Sequence, residues 1–173
     1  MEFNQNYDFN AITSAGTQLA PASGPGLQGL QNLGNSCYMN SILQMLISVP
    51  ELAHRYGTKP HGNVIEHPLI KSVPPKEAPT NLLCQTTKVA CALTSGAFAK
   101  PIESEEKEAA DTSTDPKYRL APRMFKHVVG KDHVDFRTGQ QQDAAQFLQY
   151  MLEKIDRAEL GCSNDPYFKD KSD

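Results

Sequence analysis

Apolar residues recur at Met39, Ile42, Leu43 and Leu46, the i, i+3, i+4, i+7 spacing of one helix face. Ser36 is placed to cap this helix, and Pro50 should stop it or break it near Val49. A short second turn over "ELAHRYG" can follow and end at Gly57. Near the other end of the chain, "QQQDAAQFLQYMLEKI" carries Ala144, Phe147, Leu148, Met151, Leu152 and Ile155 on one stripe and predicts a long amphipathic helix. Between these, Leu82, Thr86, Val89 and Leu93 share a face, with Thr80 as the expected cap and Gly96 as the stop. "APRMFKHVVG" sets Pro122 near a first helical position and Gly130 at the far end. No strand signal of comparable strength and no repeat appears, so this stretch reads as mainly helical.

The remaining segments read as connections. Residues 1–28 are polar and rich in turn formers, a leader lying on a surface or disordered. Residues 58–79 hold five prolines and two histidines and read as a loop. The run "KPIESEEKEAADTSTDPK" is acidic and poor in apolar residues, which marks a mobile insert at about 100–118. Residues 161–173 form a tail.

Composition narrows the class. The 173 residues are 39% hydrophobic and 21% charged, suited to one domain with a modest core. A net charge of −3 with no basic stripe along the sequence gives no nucleic-acid footprint. No apolar run reaches membrane-span length. The first basic residue is Arg55, so the start resembles neither a secretory signal nor an organellar transit peptide. Four cysteines (Cys37, Cys84, Cys91, Cys162) lie without C-x-x-C spacing, which argues against a zinc site and against a disulfide framework. The expectation is a reducing compartment, no metal and no cofactor.

Cys37 is the residue that carries candidate chemistry. Taken alone, a cysteine is more often a small buried filler than a nucleophile. Its neighbours change that weighting. A thiolate, not a thiol, attacks carbonyls, and a helix N-terminus favours negative charge. The backbone N–H of Cys37 falls among the unpaired donors of the first turn and can face an oxyanion. Asn32 can add a second donor from its side-chain amide, and Gly34 lets the loop fold tightly enough to aim both groups at one spot. Asn32 as an Asx-turn residue and Gly34 as an ordinary turn glycine are the plainer alternatives.

Taken as a string, "GLQNLGNSCYMNSILQML" closely resembles the cysteine box of the ubiquitin-specific proteases, a papain-like family of deubiquitinating cysteine proteases. "QQQDAAQFLQYML" is similar to that family's Gln-Gln-Asp box, in the right order. "LTSGAFAKP" and "APRMFKHVVGKDHVDF" look like the isopeptidase T branch, which takes apart unanchored polyubiquitin. The resemblance runs over residues 24–155. It implies an α+β papain-like fold of which residues 29–160 form mainly the helical N-terminal thumb, and ubiquitin or polyubiquitin as partner, without nucleic acid or membrane. A cytoplasmic location follows, with the nucleus also open. By position, Cys37 matches the nucleophile and Asn32 the oxyanion-hole residue. Gln142, Asp143 and Gln146 match the side of the cleft that grips ubiquitin's basic tail. The plainer reading of these three is a polar helix start, with Asp143 favourable to the helix dipole.

Two departures accompany the likeness. Gln146 stands where the family usually has glutamate. The family also places its histidine far downstream in a Gly-His-Tyr-like context, oriented by Asp or Asn, and none of His54, His61, His67, His127 and His133 stands in such a context. His127 and His133 read as surface or packed residues. The 173 residues are therefore expected to be the first portion of a catalytic domain, inactive by themselves for want of the general base. The competing expectation is a non-catalytic ubiquitin-pathway interaction module that keeps only the thumb.

Overall fold

A computed structural model of the protein describes residues 24–57, 68–71, 73–98 and 120–161. The leader up to residue 23, the acidic insert and the tail beyond Gly161 lie outside the described residues, as do Cys162, His61 and His67. The described residues form six helices: α1 (Cys37–Ser48), α2 (Pro50–Tyr56), α3 (Pro68–Lys71), α4 (Leu82–Thr94), α5 (Arg123–Gly130) and α6 (Ala144–Gly161). The β structure among them is one isolated parallel bridge between Leu30 and Leu120.

Helix α1 ends where proline dictates. Val49 is extended at the C-cap, with φ −76° and ψ 119°, and Pro50 then occupies the first turn of α2, where its missing N–H costs nothing. The segment expected to be a loop over 58–79 contains the single turn α3 and further turns at 75–80. The cap of α4 is Asn81 rather than Thr80: the Asn81 side chain accepts from Cys84 N at 3.0 Å, while Thr80 Oγ1 donates to the Glu77 carbonyl. An Asx side chain one residue closer to the helix reaches its third N–H, and a hydroxyl one residue earlier cannot.

Helix α4 is buried almost all round, from Leu83 to Thr87 and again from Val89 to Leu93. It is enclosed by α1, α2, α3, α5 and α6, so its buried surface extends well beyond the face shared by Leu82, Thr86, Val89 and Leu93. Thr86 spends its hydroxyl on the Leu82 carbonyl one turn back, so it can be buried without an orphaned donor. On α6, Phe147, Met151 and Ile155 are buried as the stripe predicts, but Leu152 is 44% exposed. The buried face is thus narrower than the apolar stripe. Gly130 ends α5 for a steric reason: a Cβ there would stand 2.6 Å from the Phe136 carbonyl oxygen.

An aromatic cluster joins the two ends of the described chain. Tyr38 on α1 meets Phe147 on α6 edge-on at 5.2 Å, Phe147 meets Phe136 at 5.2 Å, and Phe136 lies 5.1 Å from Tyr150. Tyr150 closes the group by donating its hydroxyl to the Val129 carbonyl at 3.0 Å. At the opposite end of α6, Glu159 receives Arg55 in a two-pronged pair and also accepts from the Tyr56 hydroxyl, fastening α2.

That three-group node sets a pH window for stability. Burial, the largest single influence, pushes the Glu159 carboxyl up, but the hydrogen bonds from Arg55 and Tyr56 together outweigh it and hold it below its ordinary 4.5. Burial first, then the bond to Glu159, push the Tyr56 phenol well above its ordinary 10.0. A depressed carboxyl stabilises the fold above about 4.5 and loses that contribution as pH falls through its folded value. A raised phenol stabilises below 10.0 and loses the contribution as pH climbs through its folded value. Glu159→Gln should therefore lower stability at neutral pH by about 1–2 kcal/mol, allowing for solvent screening of a half-buried pair. It should also flatten the acid side of the profile. Urea unfolding of both proteins across pH 3 to 8 checks this; parallel curves would mean Glu159 is not held as described.

Candidate active site

The approach to α1 is pinned from two directions. Gln31 N donates to the Leu120 carbonyl at 2.8 Å, fixing the incoming chain to the segment that leads into α5. From α1 itself, Asn40 Nδ2 donates to the carbonyls of Gln31 (3.2 Å) and Leu30 (3.4 Å), and Gln44 Nε2 to that of Gln28 (2.7 Å). Asn40 and Gln44 lie one turn apart on α1, so both amides meet the same extended strand.

The loop then turns through two left-handed residues, Gly34 (φ 86°) and Asn35 (φ 49°). A single oxygen organises it. Asn32 Oδ1 accepts from Gly34 N, Ser36 N and Ser36 Oγ, each at 3.1 Å. Ser36 Oγ in turn accepts from Leu33 N at 2.8 Å. The Asx turn and the donor role weighed for Asn32 are therefore compatible, because the turn consumes the oxygen and leaves the NH2 group. Among the described residues, no acceptor engages that Nδ2.

Ser36 stands at the N-cap position as the sequence suggests but supplies no side-chain cap, since its fully buried hydroxyl is turned back into the loop. The consequence falls on α1. Its first-turn N–H groups, that of Cys37 included, begin the helix without a side-chain acceptor. The Cys37 thiol sits there exposed, in contrast to the buried Cys84 and Cys91. Directly behind it, burial, and then the charge of Cys37, hold the Tyr38 phenol above its ordinary 10.0, so this ring stays neutral and packs.

The second polar cluster is brought to the first by Asn35, whose Nδ2 donates to the Gly139 carbonyl at 2.9 Å across 104 residues of sequence. Asp143 caps α6: its Oδ1 accepts from Gln146 N at 2.8 Å and its carbonyl from Phe147 N at 3.1 Å. Gln142 Nε2 donates to the Asp135 carbonyl at 3.2 Å. Gln146 is exposed, and among the described residues its side-chain amide has no partner. Two of the three substrate-side candidates thus hold the local backbone, and Gln146 faces solvent.

The described histidines have other surroundings. His54 and His127 are exposed on α2 and α5. His133 stacks on Phe136 at 4.2 Å and meets Tyr150 edge-on at 4.7 Å. Its Nδ1 accepts from Asp135 N at 3.2 Å, which places its proton on Nε2 and makes it a packed turn residue. Asn35, Asn40 and Gln44 escaped the sequence reading. The Gly34-Asn35 dipeptide was a turn signal that could have flagged the first, and the i, i+4 amide pair could have flagged the others.

Residues 28–168 match the family model described as ubiquitin carboxyl-terminal hydrolase. The chain is 37% identical over 161 residues to ubiquitin carboxyl-terminal hydrolase A of Dictyostelium discoideum, covering 92% of this chain and 18% of that protein. It is 35% identical over 159 residues to ubiquitin carboxyl-terminal hydrolase 5 of Homo sapiens, and 35% over 160 to ubiquitin carboxyl-terminal hydrolase 13 of Mus musculus, each at 91% of this chain and 18% of the relative. The chain thus spans about a fifth of the length of these relatives.

The cap at Asp143 can be separated from its charge. Asp143→Asn keeps an acceptor oxygen for Gln146 N and should leave stability nearly unchanged. Asp143→Ala removes it and should cost about 1 kcal/mol. Chemical denaturation of the two variants decides the point; equal losses would show that the oxygen is not capping α6.

Proposed function

The chain belongs to the ubiquitin carboxyl-terminal hydrolase family, and on that premise we propose that residues 29–160 are the thumb portion of a papain-like, thiol-dependent deubiquitinase with Cys37 as nucleophile. The observation that carries this reading is the open N-terminus of α1. An exposed thiol stands beside its own unpaired N–H and within a loop whose Asn32 amide has been freed by the engagement of Oδ1. The likeness to ubiquitin carboxyl-terminal hydrolase 5 favours the isopeptidase T branch and unanchored polyubiquitin as substrate.

The chemistry follows from these groups. The Cys37 thiolate adds to the carbonyl carbon of ubiquitin's terminal glycine, and the carbonyl electrons move to oxygen. The Cys37 N–H and Asn32 Nδ2 donate to that oxyanion and stabilise it relative to the flat carbonyl. Collapse expels the lysine amine with a proton from a general acid and leaves a thioester, which water then cleaves. Among the described histidines none is free to serve as that acid: His133 Nδ1 is already spent on the backbone, and His54 and His127 are exposed on α2 and α5. Gln142, Asp143 and Gln146 line the path of the basic tail, where Asp143 keeps Oδ2 for a cation while Oδ1 caps the helix. The cytoplasm, and the nucleus with it, is the compartment this reading favours.

In the longer protein, Cys37→Ala should abolish release of a fluorogenic amine from the ubiquitin C-terminus with no loss of ubiquitin binding. Asn32→Ala should lower kcat by about a hundredfold or more. Near-native turnover in either variant would overturn these roles.

Gln146 offers a separate test. An amide carbonyl binds a cation more weakly than a carboxylate, about 0.5–1.5 against 1.5–3 kcal/mol. Gln146→Glu should tighten ubiquitin binding about tenfold at low salt, with a steeper salt dependence. Unchanged affinity at low salt would remove Gln146 from the tail's path.

A further inference from the structure

A groove of about 730 Å3 opens beside the loop that carries Asn32, lined by Leu33, Arg123, Lys126, His127, Lys131, Arg137 and Thr138. Four of these side chains are permanent cations, and no carboxylate lines the groove. Among the described residues none of the four makes an ion pair: the paired bases there are Arg55, Lys154 and Arg157, and Asp132 is drawn away to Lys154 at 2.9 Å. This is a concentration of positive charge in a chain whose net charge is −3. Asp132, bonded to Lys154, also feels the charge of Lys131, but the four cations still repel one another, so an anion bound among them would stabilise the arrangement.

The layout of the cations describes that anion. Arg123, Lys126 and His127 lie on one face of α5 and Lys131 directly follows it, while Phe125, Val128 and Val129 bury the other face. From Arg123 to Lys131 the permanent charges extend along roughly 12 Å, with rises of about 4.5 and 7.5 Å between them. They form a row rather than converging on one point, which suits several spaced charges better than a single phosphate. Carboxylates on one face of an extended peptide recur about every 6.6–7 Å, which falls between those two rises. Leu33 gives the row an apolar wall. No Phe, Tyr or Trp lines the groove as a platform for a base, and an acidic chain disfavours a long polyanion.

We propose that this groove docks an extended acidic peptide segment of a partner protein, alongside the Cys37 loop. Binding rests on charge rather than on catalysis, so it stands or falls separately from the reading of Cys37. The test uses the longer protein and a short fluorescein-labelled peptide in which Glu alternates with Ser, read by anisotropy at low and high salt. Controls are the same peptide with Gln for Glu, and single-stranded oligothymidylate. The Glu peptide should bind, weaken steeply with salt, and lose about tenfold in affinity with Lys126→Glu or Arg137→Glu. Lys88→Glu, an exposed change on α4 outside the groove, should leave it unaltered. Equal binding of the Gln peptide, no effect of the two groove reversals, absence of binding, or tighter binding of oligothymidylate through the same residues would each overturn the proposal.

Discussion

The site rests on one acceptor, Asn32 Oδ1. By taking hydrogen bonds from Gly34 N, Ser36 N and the Ser36 hydroxyl, it closes the turn that delivers the chain to α1. The same bonds draw the serine hydroxyl away from the helix it would otherwise cap. A helix start with a bound cap has its first N–H groups spent, whereas this one presents them beside Cys37. The capping energy forgone at α1 is about 1 kcal/mol in comparable helices.

Around that turn, the fold supplies rigidity from long range. The parallel bridge to Leu120 holds the incoming strand, the Asn40 and Gln44 amides hold it from α1, and Asn35 ties it to Gly139. The aromatic cluster then locks the first turn of α1 onto α6 through Tyr38 and Phe147. Two polar clusters far apart in sequence are thereby set on adjoining elements. Preorganisation of this kind matters to any acyl-transfer site, because donors that need no rearrangement lose nothing when charge develops.

Much of this was legible in the residues. Helix α1 and its end at Pro50 follow from apolar spacing and from a residue that cannot continue a helix. The buried positions of α6 follow from its stripe, although the exposed Leu152 shows that an apolar position is not always covered. Cys37 and Asn32 could be singled out as candidates because they lie five residues apart, at a loop and the helix start that follows it. Asn35, Asn40 and Gln44 were not, since their partners are backbone carbonyls whose proximity depends on the finished fold. The cap at Asn81 instead of Thr80 turns on one residue of reach, finer than a polar run can specify. The basic groove was invisible for a related reason. Arg123, Lys126, Lys131 and Arg137 are diluted by apolar neighbours in the sequence and gather only when α5 and the following loop fold.

The central claim is that the turn held by Asn32 presents Cys37, among the cysteines, to the C-terminal carbonyl of ubiquitin. Its most direct test is covalent capture, with ubiquitin carrying an electrophile in place of its terminal carboxylate added to a protein that carries these residues within the proposed complete catalytic domain, and the adduct mapped by peptide mass spectrometry. The account predicts one adduct, on the Cys37 sulfur, formed far faster than the reaction of Cys37 with iodoacetamide alone. An adduct on another cysteine, or none while iodoacetamide still modifies Cys37, would contradict it.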